Sequence, residues 1–220
     1  MNCAAAVFVK TPGLSPLKTR LAAGIGAAAA TDWYQLAAHA TAAVLAQVPG
    51  LSGYWAVAEQ GTEAAGAWPG LPQVPQGPGA LGERMGRVHA TLVERHASAF
   101  LVGADAPQLD PDVLVRAVEW LAGAAPRLVL GPARDGGFWL LGANRVLPPA
   151  AWTAAPCGRP DTAAGFRAAM SGCGAWLELP PLTDVDTVGD LAPMLAELAT
   201  LARPLPEQRA LADACLRHIG

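Results

Sequence analysis

Apolar runs alternate along the chain with turn-rich polar stretches, at spacings that predict strands and helices by turns. The run Ala4 to Val9 is continuous, as in a strand buried on both faces. It ends in Lys10-Thr11-Pro12-Gly13-Leu14-Ser15-Pro16, a loop set by two prolines and a glycine. A helical pattern starts near Leu17 and runs to about Gln47, with a break at Gly24 to Gly26. Further strands are predicted at 53–58, 99–104, 127–131, 138–142 and 176–179. Helices are predicted at 83–96, from Pro111 onward with Asp110 as N-cap, and at 162–170, 188–201 and 207–217. The Gly- and Pro-rich stretch 61–82 is expected to be a surface loop.

This alternation predicts an α/β fold with a Rossmann-like, mostly parallel sheet flanked by helices. No repeat or linker divides the chain, so one domain over residues 1–220 is expected, with 202–220 as a helical tail. In such sheets ligands bind beyond the carboxyl ends of the strands. Four predicted strand ends deliver polar residues there: Lys10 with Lys18, Thr19 and Arg20; Asp105; Arg134-Asp135-Gly136-Gly137; and Asp184-Val185-Asp186-Thr187.

Composition narrows the function. The chain is 52% hydrophobic and 15% charged with a net charge of −3, which supports a large core and supplies no basic field for nucleic acid. Cys3, Cys157, Cys173 and Cys215 show no metal-ligand spacing, and reduced thiols in a cytoplasmic protein are expected. No signal sequence is visible. Asp32, Gln35, His39 and Gln47 interrupt the alanine-rich stretch 21–48, so no membrane span is expected. His39, His89, His96 and His218 form no HxxxH or HExxH pattern and are expected to pack or lie at the surface.

The loop from Pro12 and Gly13 to Lys18 and Arg20 offers a helix N-terminus and two cations for phosphate, though it is neither a Walker loop nor GxGxxG. Its plainer alternative is a proline turn carrying solvated basic residues. Asp105, directly after a buried strand, can reach a metal bridging phosphates, or it can form an Asx turn. Asp135-Gly136-Gly137 can be an ordinary hairpin turn or a place where backbone approaches a ligand, with Trp139 lining the pocket. Of Asp184 and Asp186, one can cap the following helix while the other faces the site.

Five segments in order then show a resemblance: 8–13 with Lys18-Thr19-Arg20-Leu21, Gly79 to Met85, Gly103 to Leu109, Gly131 to Phe138, and Asp184 to Thr187. The chain resembles the glycosyltransferase-A, or nucleotide-diphospho-sugar transferase, superfamily. More closely it resembles a bacterial family of small glycosyltransferase-like proteins, some of them associated with arsenosugar biosynthesis. The resemblance implies that Lys10, Pro12, Gly13, Lys18 and Arg20 hold a nucleotide and its diphosphate, with Glu83 and Arg84 approaching the donor. It places Asp135, Gly136, Gly137, Phe138 and Trp139 on the acceptor side, and Asp105 and Asp135 become the candidate catalytic residues. Asp105 corresponds to a metal-binding DxD aspartate, but Pro107 stands at the second position, so Asp186 is the expected second ligand for Mg²⁺ or Mn²⁺. The implied activity is sugar transfer from a nucleotide-sugar to a small-molecule acceptor. Two alternatives are nucleotidyl transfer from an NTP to a phosphorylated acceptor and a non-catalytic nucleotide-binding protein. Base, sugar, acceptor and oligomeric state are not legible in the sequence.

Overall fold

The structure is a computed structural model and describes residues 2–154 and 157–219. In chain order its elements are β1 (Cys3–Val9), α1 (Thr19–Ile25), α2 (Ala27–Ala46), β2 (Leu51–Val57), α3 (Thr62–Ala67), β3 (Gln73–Pro75), α4 (Leu81–Arg95) and β4 (Ser98–Gly103). There follow α5 (Pro111–Leu121), β5 (Arg127–Pro132), β6 (Phe138–Ala143), α6 (Pro149–Thr153), α7 (Thr162–Ala169) and β7 (Ala175–Glu178). A 3₁₀ turn (Val188–Asp190), α8 (Leu191–Ala199) and α9 (Pro206–Ile219) complete the chain.

The strands form one seven-stranded sheet in the order β3-β2-β1-β4-β6-β5-β7. All neighbours are parallel except β6, which runs antiparallel to both β4 and β5. The mostly parallel α/β architecture expected from the sequence is therefore the one observed. β1 lies inside the sheet between β2 and β4, and its period-two alternation sends side chains into two cores. Cys3, Ala5, Val7 and Val9 join one core with residues of α2, α5, α8 and α9. Ala4 and Ala6 join the other with α4, α6 and α7. Each large apolar side chain buried in this way contributes roughly 1.5–3 kcal/mol.

Several details differ from the sequence expectations. The helix expected from Leu17 begins at Thr19 and ends at Ile25, and Gly26 (φ 89°) separates it from α2. The stretch 61–82 is not all loop: α3 and the edge strand β3 lie within it. The burial pattern of β3 is exposed–buried–exposed, too short a signal for a period to emerge. α6 was not expected either. The C-terminal helix α9 packs along α2, with the Trp33 indole donating to Cys215 Sγ at 3.2 Å. Asp110 caps α5 as expected, its Oδ1 accepting from the Asp112 N–H at 2.9 Å ahead of Pro111 at the helix start.

β6 matters most to the site. Antiparallel pairing brings the end of β5 and the start of β6 to the same rim, so the 133–137 hairpin projects beside the ends of β1 and β4. The close packing behind it requires glycine. A Cβ on Gly142 would stand 2.3 Å from the Cβ of Phe100.

Candidate active site

A cleft of about 610 Å³ opens at the carboxyl ends of β1 and β4, walled by the 133–137 hairpin and the 184–186 segment. Its lining includes Lys10, Lys18, Arg20, Arg84, Asp105, Asp135, Gly137, Phe138, Trp139 and Asp186, all anticipated from sequence. Pro12, Gly13, Glu83 and Gly136 are not part of this wall. Glu83 has a local task instead: its carboxylate accepts from the Ala80 N–H at 2.7 Å and caps α4. Gly136 shapes the hairpin, its φ of 90° and a Cβ position 1.8 Å from Pro160 O admitting no side chain. Pro12 and Gly13 form a turn, closed by Leu14 N donating to Thr11 O at 3.2 Å. The helix N-terminus expected to seat phosphate belongs to α1, which is only seven residues long and has Lys18 rather than a side-chain cap at its start. Its dipole is correspondingly weak.

The acidic centre is assembled from two distant segments. The Val185 N–H donates to Asp105 O at 3.1 Å, stitching the 184–186 segment to the end of β4. From below, Glu197 on α8 accepts from Thr183 N at 2.9 Å and Thr183 Oγ1 at 2.8 Å, which fixes where that segment turns. Asp184, read from the sequence as either a helix cap or a residue facing the site, thereby lines the cleft with Asp105, Asp135 and Asp186. Burial pushes its carboxyl up to about 8, with the neighbouring Asp105 charge adding to the rise and Lys18 opposing it. The sequence signal was present, because both aspartates of an i, i+2 pair in an extended segment can share one face. The competing cap reading had the wrong residue. Thr187 is the N-cap, and Asp190 closes its capping box, its carboxylate accepting from Thr187 N at 2.7 Å and Asp186 N at 3.1 Å.

One buried cation sits in this acidic ring. Lys18 Nζ lies 2.9 Å from Asp105 Oδ2 and 3.5 Å from Asp186 Oδ1, and it donates to Val185 O at 2.6 Å. Its side chain is only 6% exposed. Burial alone would lower its pKa, but attraction to Asp105 and then Asp184 outweighs that and holds it above the ordinary lysine value. Arg20, largely solvated, pairs with Asp186 Oδ2 at 3.2 Å. Among the described residues Asp105 forms no Asx turn, and its Oδ1 is buried with no hydrogen-bond partner. Among the described residues no three acidic, cysteine or histidine side chains are gathered closely enough to cage a metal as they stand. An unpartnered buried carboxylate oxygen in a cleft that other carboxylates line is nevertheless the kind of donor a hard divalent cation takes.

The opposite wall is held by residues not anticipated as site residues. Gln76 is 2% exposed, and its amide NH₂ donates to the carbonyls of Val9 (3.1 Å) and Ala56 (2.8 Å). Two carbonyls fix its orientation, so its Oε1 must face the Arg84 guanidinium, which donates at 2.8 Å. Tyr34 Oη accepts from Lys10 N at 2.9 Å, and Glu59 accepts from Thr11 N at 2.7 Å and from the Ser15 hydroxyl, tying down the first loop. These contacts cross between elements far apart in the chain and leave no local sequence pattern. At the hairpin, Asp135 Oδ1 accepts from Gly137 N at 2.9 Å, so the turn reading and the cleft reading of this motif hold together.

His39 packs edge-on to Trp55, His89 is fully buried, and His96 bonds Tyr54 Oη at 2.9 Å. The His218 side chain lies outside the described residues. Cys3 and Cys215 are buried, while Cys157 and Cys173 are half-buried. No helix of the described residues is long and apolar enough to cross a membrane.

The fold and the cleft define a class: an α/β protein of the nucleotide-diphospho-sugar transferase fold. A structure provisionally described as a nucleotide-diphospho-sugar transferase, from Desulfovibrio desulfuricans G20, is similar at TM-score 0.84 and 24% identity, covering 98% of this chain and 96% of that one. The CMP:2-keto-3-deoxy-manno-octonic acid synthetase complexed with CTP is similar at TM-score 0.53 and 12% identity, over 90% and 99% of the two chains. The 4-diphosphocytidyl-2C-methyl-D-erythritol synthase of Anaerococcus prevotii DSM 20548 is similar at TM-score 0.53 and 10% identity, over 92% and 96%. No curated protein matches the sequence. Residues 35–159 match the family described as "Uncharacterized protein conserved in bacteria (DUF2064)", and the chain belongs to that family. The matched span contains Arg84, Asp105 and the 133–137 hairpin, whereas the Lys10–Arg20 loop and Asp184–Asp186 lie outside it.

Proposed function

We propose that this protein transfers a sugar from a nucleotide-diphospho-sugar to a small acceptor with the help of Mg²⁺ or Mn²⁺. The observation that carries the reading is the pairing of an acidic centre (Asp105, Asp184, Asp186) with cations (Lys10, Arg20, Arg84) in one cleft at the strand ends. Asp105 and Asp186 would hold the divalent ion, and Asp105 Oδ1 is the oxygen with no other partner. When bound, that ion offsets charge building on the departing diphosphate. Lys10 and Arg20 bind the diphosphate oxygens, and Arg84, oriented by Gln76, approaches the donor from the opposite wall. Asp135 stands on the hairpin beside Phe138 and Trp139, where it takes the proton of the acceptor hydroxyl. Phe138, half-buried in the cleft lining, restricts water from competing with the acceptor. The test is incubation with a panel of nucleotide-sugars, an acceptor pool and Mn²⁺, following nucleoside diphosphate release. Release lost in Asp105→Ala supports the reading, and its absence across the panel opposes it.

Nucleotidyl transfer is the second reading. It is favoured by an acidic pair drawn from two segments, after β4 and after β7, instead of from one DxD turn. Two similar structures are, by name, synthases of cytidylyl compounds, one of them complexed with CTP. Pyrophosphate release from an NTP in the presence of phosphorylated acceptors separates it from sugar transfer.

A further inference from the structure

Lys10 and Lys18 are the only lysines in the sequence, against thirteen arginines. A chain that uses arginine almost everywhere else has its two compact ammonium groups on a single loop, one that borders the cleft. At position 18 the compactness is used. All three N–H donors of the ammonium are engaged, by Asp105 Oδ2 (2.9 Å), Asp186 Oδ1 (3.5 Å) and Val185 O (2.6 Å). A planar guanidinium would not fit that three-way pocket with the same saturation. Lys18 therefore occupies the space between the carboxylates that the proposed function assigns to a divalent cation. An ammonium on Asp105 Oδ2 and a divalent cation on Oδ1 of the same carboxylate repel at short range, so the two arrangements exclude each other.

The backbone provides a route between them. Lys18 is the only non-glycine residue with positive φ among those described (φ 42°, ψ 45°). A side chain in the left-handed region is held there by its surroundings. Once the carboxylates are satisfied by another cation, return to ordinary negative φ re-aims the lysine out of the ring. Pro16 and Leu17 precede it and the first turn of α1 follows, so the change is confined to a short segment.

We propose that Lys18 is a tethered place-holder: its ammonium and a divalent cation are alternative occupants of the Asp105–Asp186 pair, and cation binding expels Lys18 toward the cleft mouth. The inference rests on the metal-assisted reading above. It changes the part of Lys18 from a standing phosphate ligand to a group delivered to the diphosphate only when the cation arrives.

The wild-type protein suffices for the first test. Amine-reactive labelling followed by mass spectrometry reports Lys18 against Lys10 as internal reference, while electron paramagnetic resonance of free Mn²⁺ reports binding independently. Lys18 should label slowly without Mn²⁺ and at least tenfold faster at saturation, with Lys10 unchanged. In a second arm, Lys18→Met should bind Mn²⁺ at least tenfold more tightly than wild type without nucleotide. Mn²⁺ binding with no rise in Lys18 labelling, or binding no tighter in Lys18→Met, overturns the place-holder and leaves the metal reading standing. No Mn²⁺ binding to either protein overturns both.

Discussion

The Asp105 carboxylate and the Lys18 ammonium form a 2.9 Å ion pair in which the lysine is almost wholly buried and the aspartate about one-third exposed. Breaking such a pair from the aspartate side leaves a buried cation short of one partner, although Asp184 and Asp186 remain near it. Asp105→Asn should therefore lower stability by about 1–2 kcal/mol, discounted for the partial exposure. It should also reduce turnover at least a hundredfold. Chemical denaturation and product release check the two effects separately. An unaffected rate would remove Asp105 from the chemistry.

Gln76 joins two strand-end carbonyls to Arg84. Gln76→Leu keeps similar bulk but leaves the Val9 and Ala56 carbonyls without that donor and releases the guanidinium. A loss of about 3 kcal/mol is expected from the unsatisfied buried groups. Weaker donor binding should accompany it, visible as a raised KM at nearly constant kcat. Unchanged KM would show that Arg84 does not touch the donor.

Gly13 and Gly136 share positive φ but differ in surroundings. Nothing lies within 4 Å of a Cβ at Gly13, whereas at Gly136 the Cβ would meet Pro160 O at 1.8 Å. Gly13→Ala should cost only the conformational penalty of about 1 kcal/mol. Gly136→Ala must also move the hairpin, and roughly 2 kcal/mol or more is expected, with Asp135 displaced. Melting temperatures of the pair decide it; equal losses would contradict the close contact.

His89 gives the protein an acid limit. Burial lowers its pKa from 6.5 to about 4, so the folded state favours the neutral ring. The stability this confers is present above pH 6.5 and is lost as pH falls through about 4, amounting to about 3 kcal/mol. In His89→Leu the fall in stability between those values should be shallower by up to one proton's worth. Identical slopes in both proteins would show that His89 does not carry the effect.

Much of this arrangement was legible in the sequence because it is written in local patterns. The buried run at β1, the Asp110-Pro111 cap and the aspartate after β4 are each specified by neighbours a few residues away. β3 was missed because three residues on a sheet edge carry no period. Antiparallel β6 was placed as a strand but not oriented, since pairing direction depends on partners outside it. In the site, charged residues at strand ends were found, Asp184 among them, but Gln76, Glu59 and Glu197 act through contacts between distant segments. Glu83 was drawn into the site by its place in a motif, and its carboxylate is spent on the start of α4.

Calorimetric titration of nucleoside-diphosphate sugars into the Mn²⁺-loaded protein tests most directly that this cleft holds a nucleotide diphosphate on Asp105. One member of the panel should bind with 1:1 stoichiometry, and its heat should vanish in Asp105→Ala and when Mn²⁺ is chelated. Uniformly absent binding across the panel, or binding indifferent to Asp105 and to Mn²⁺, would contradict it.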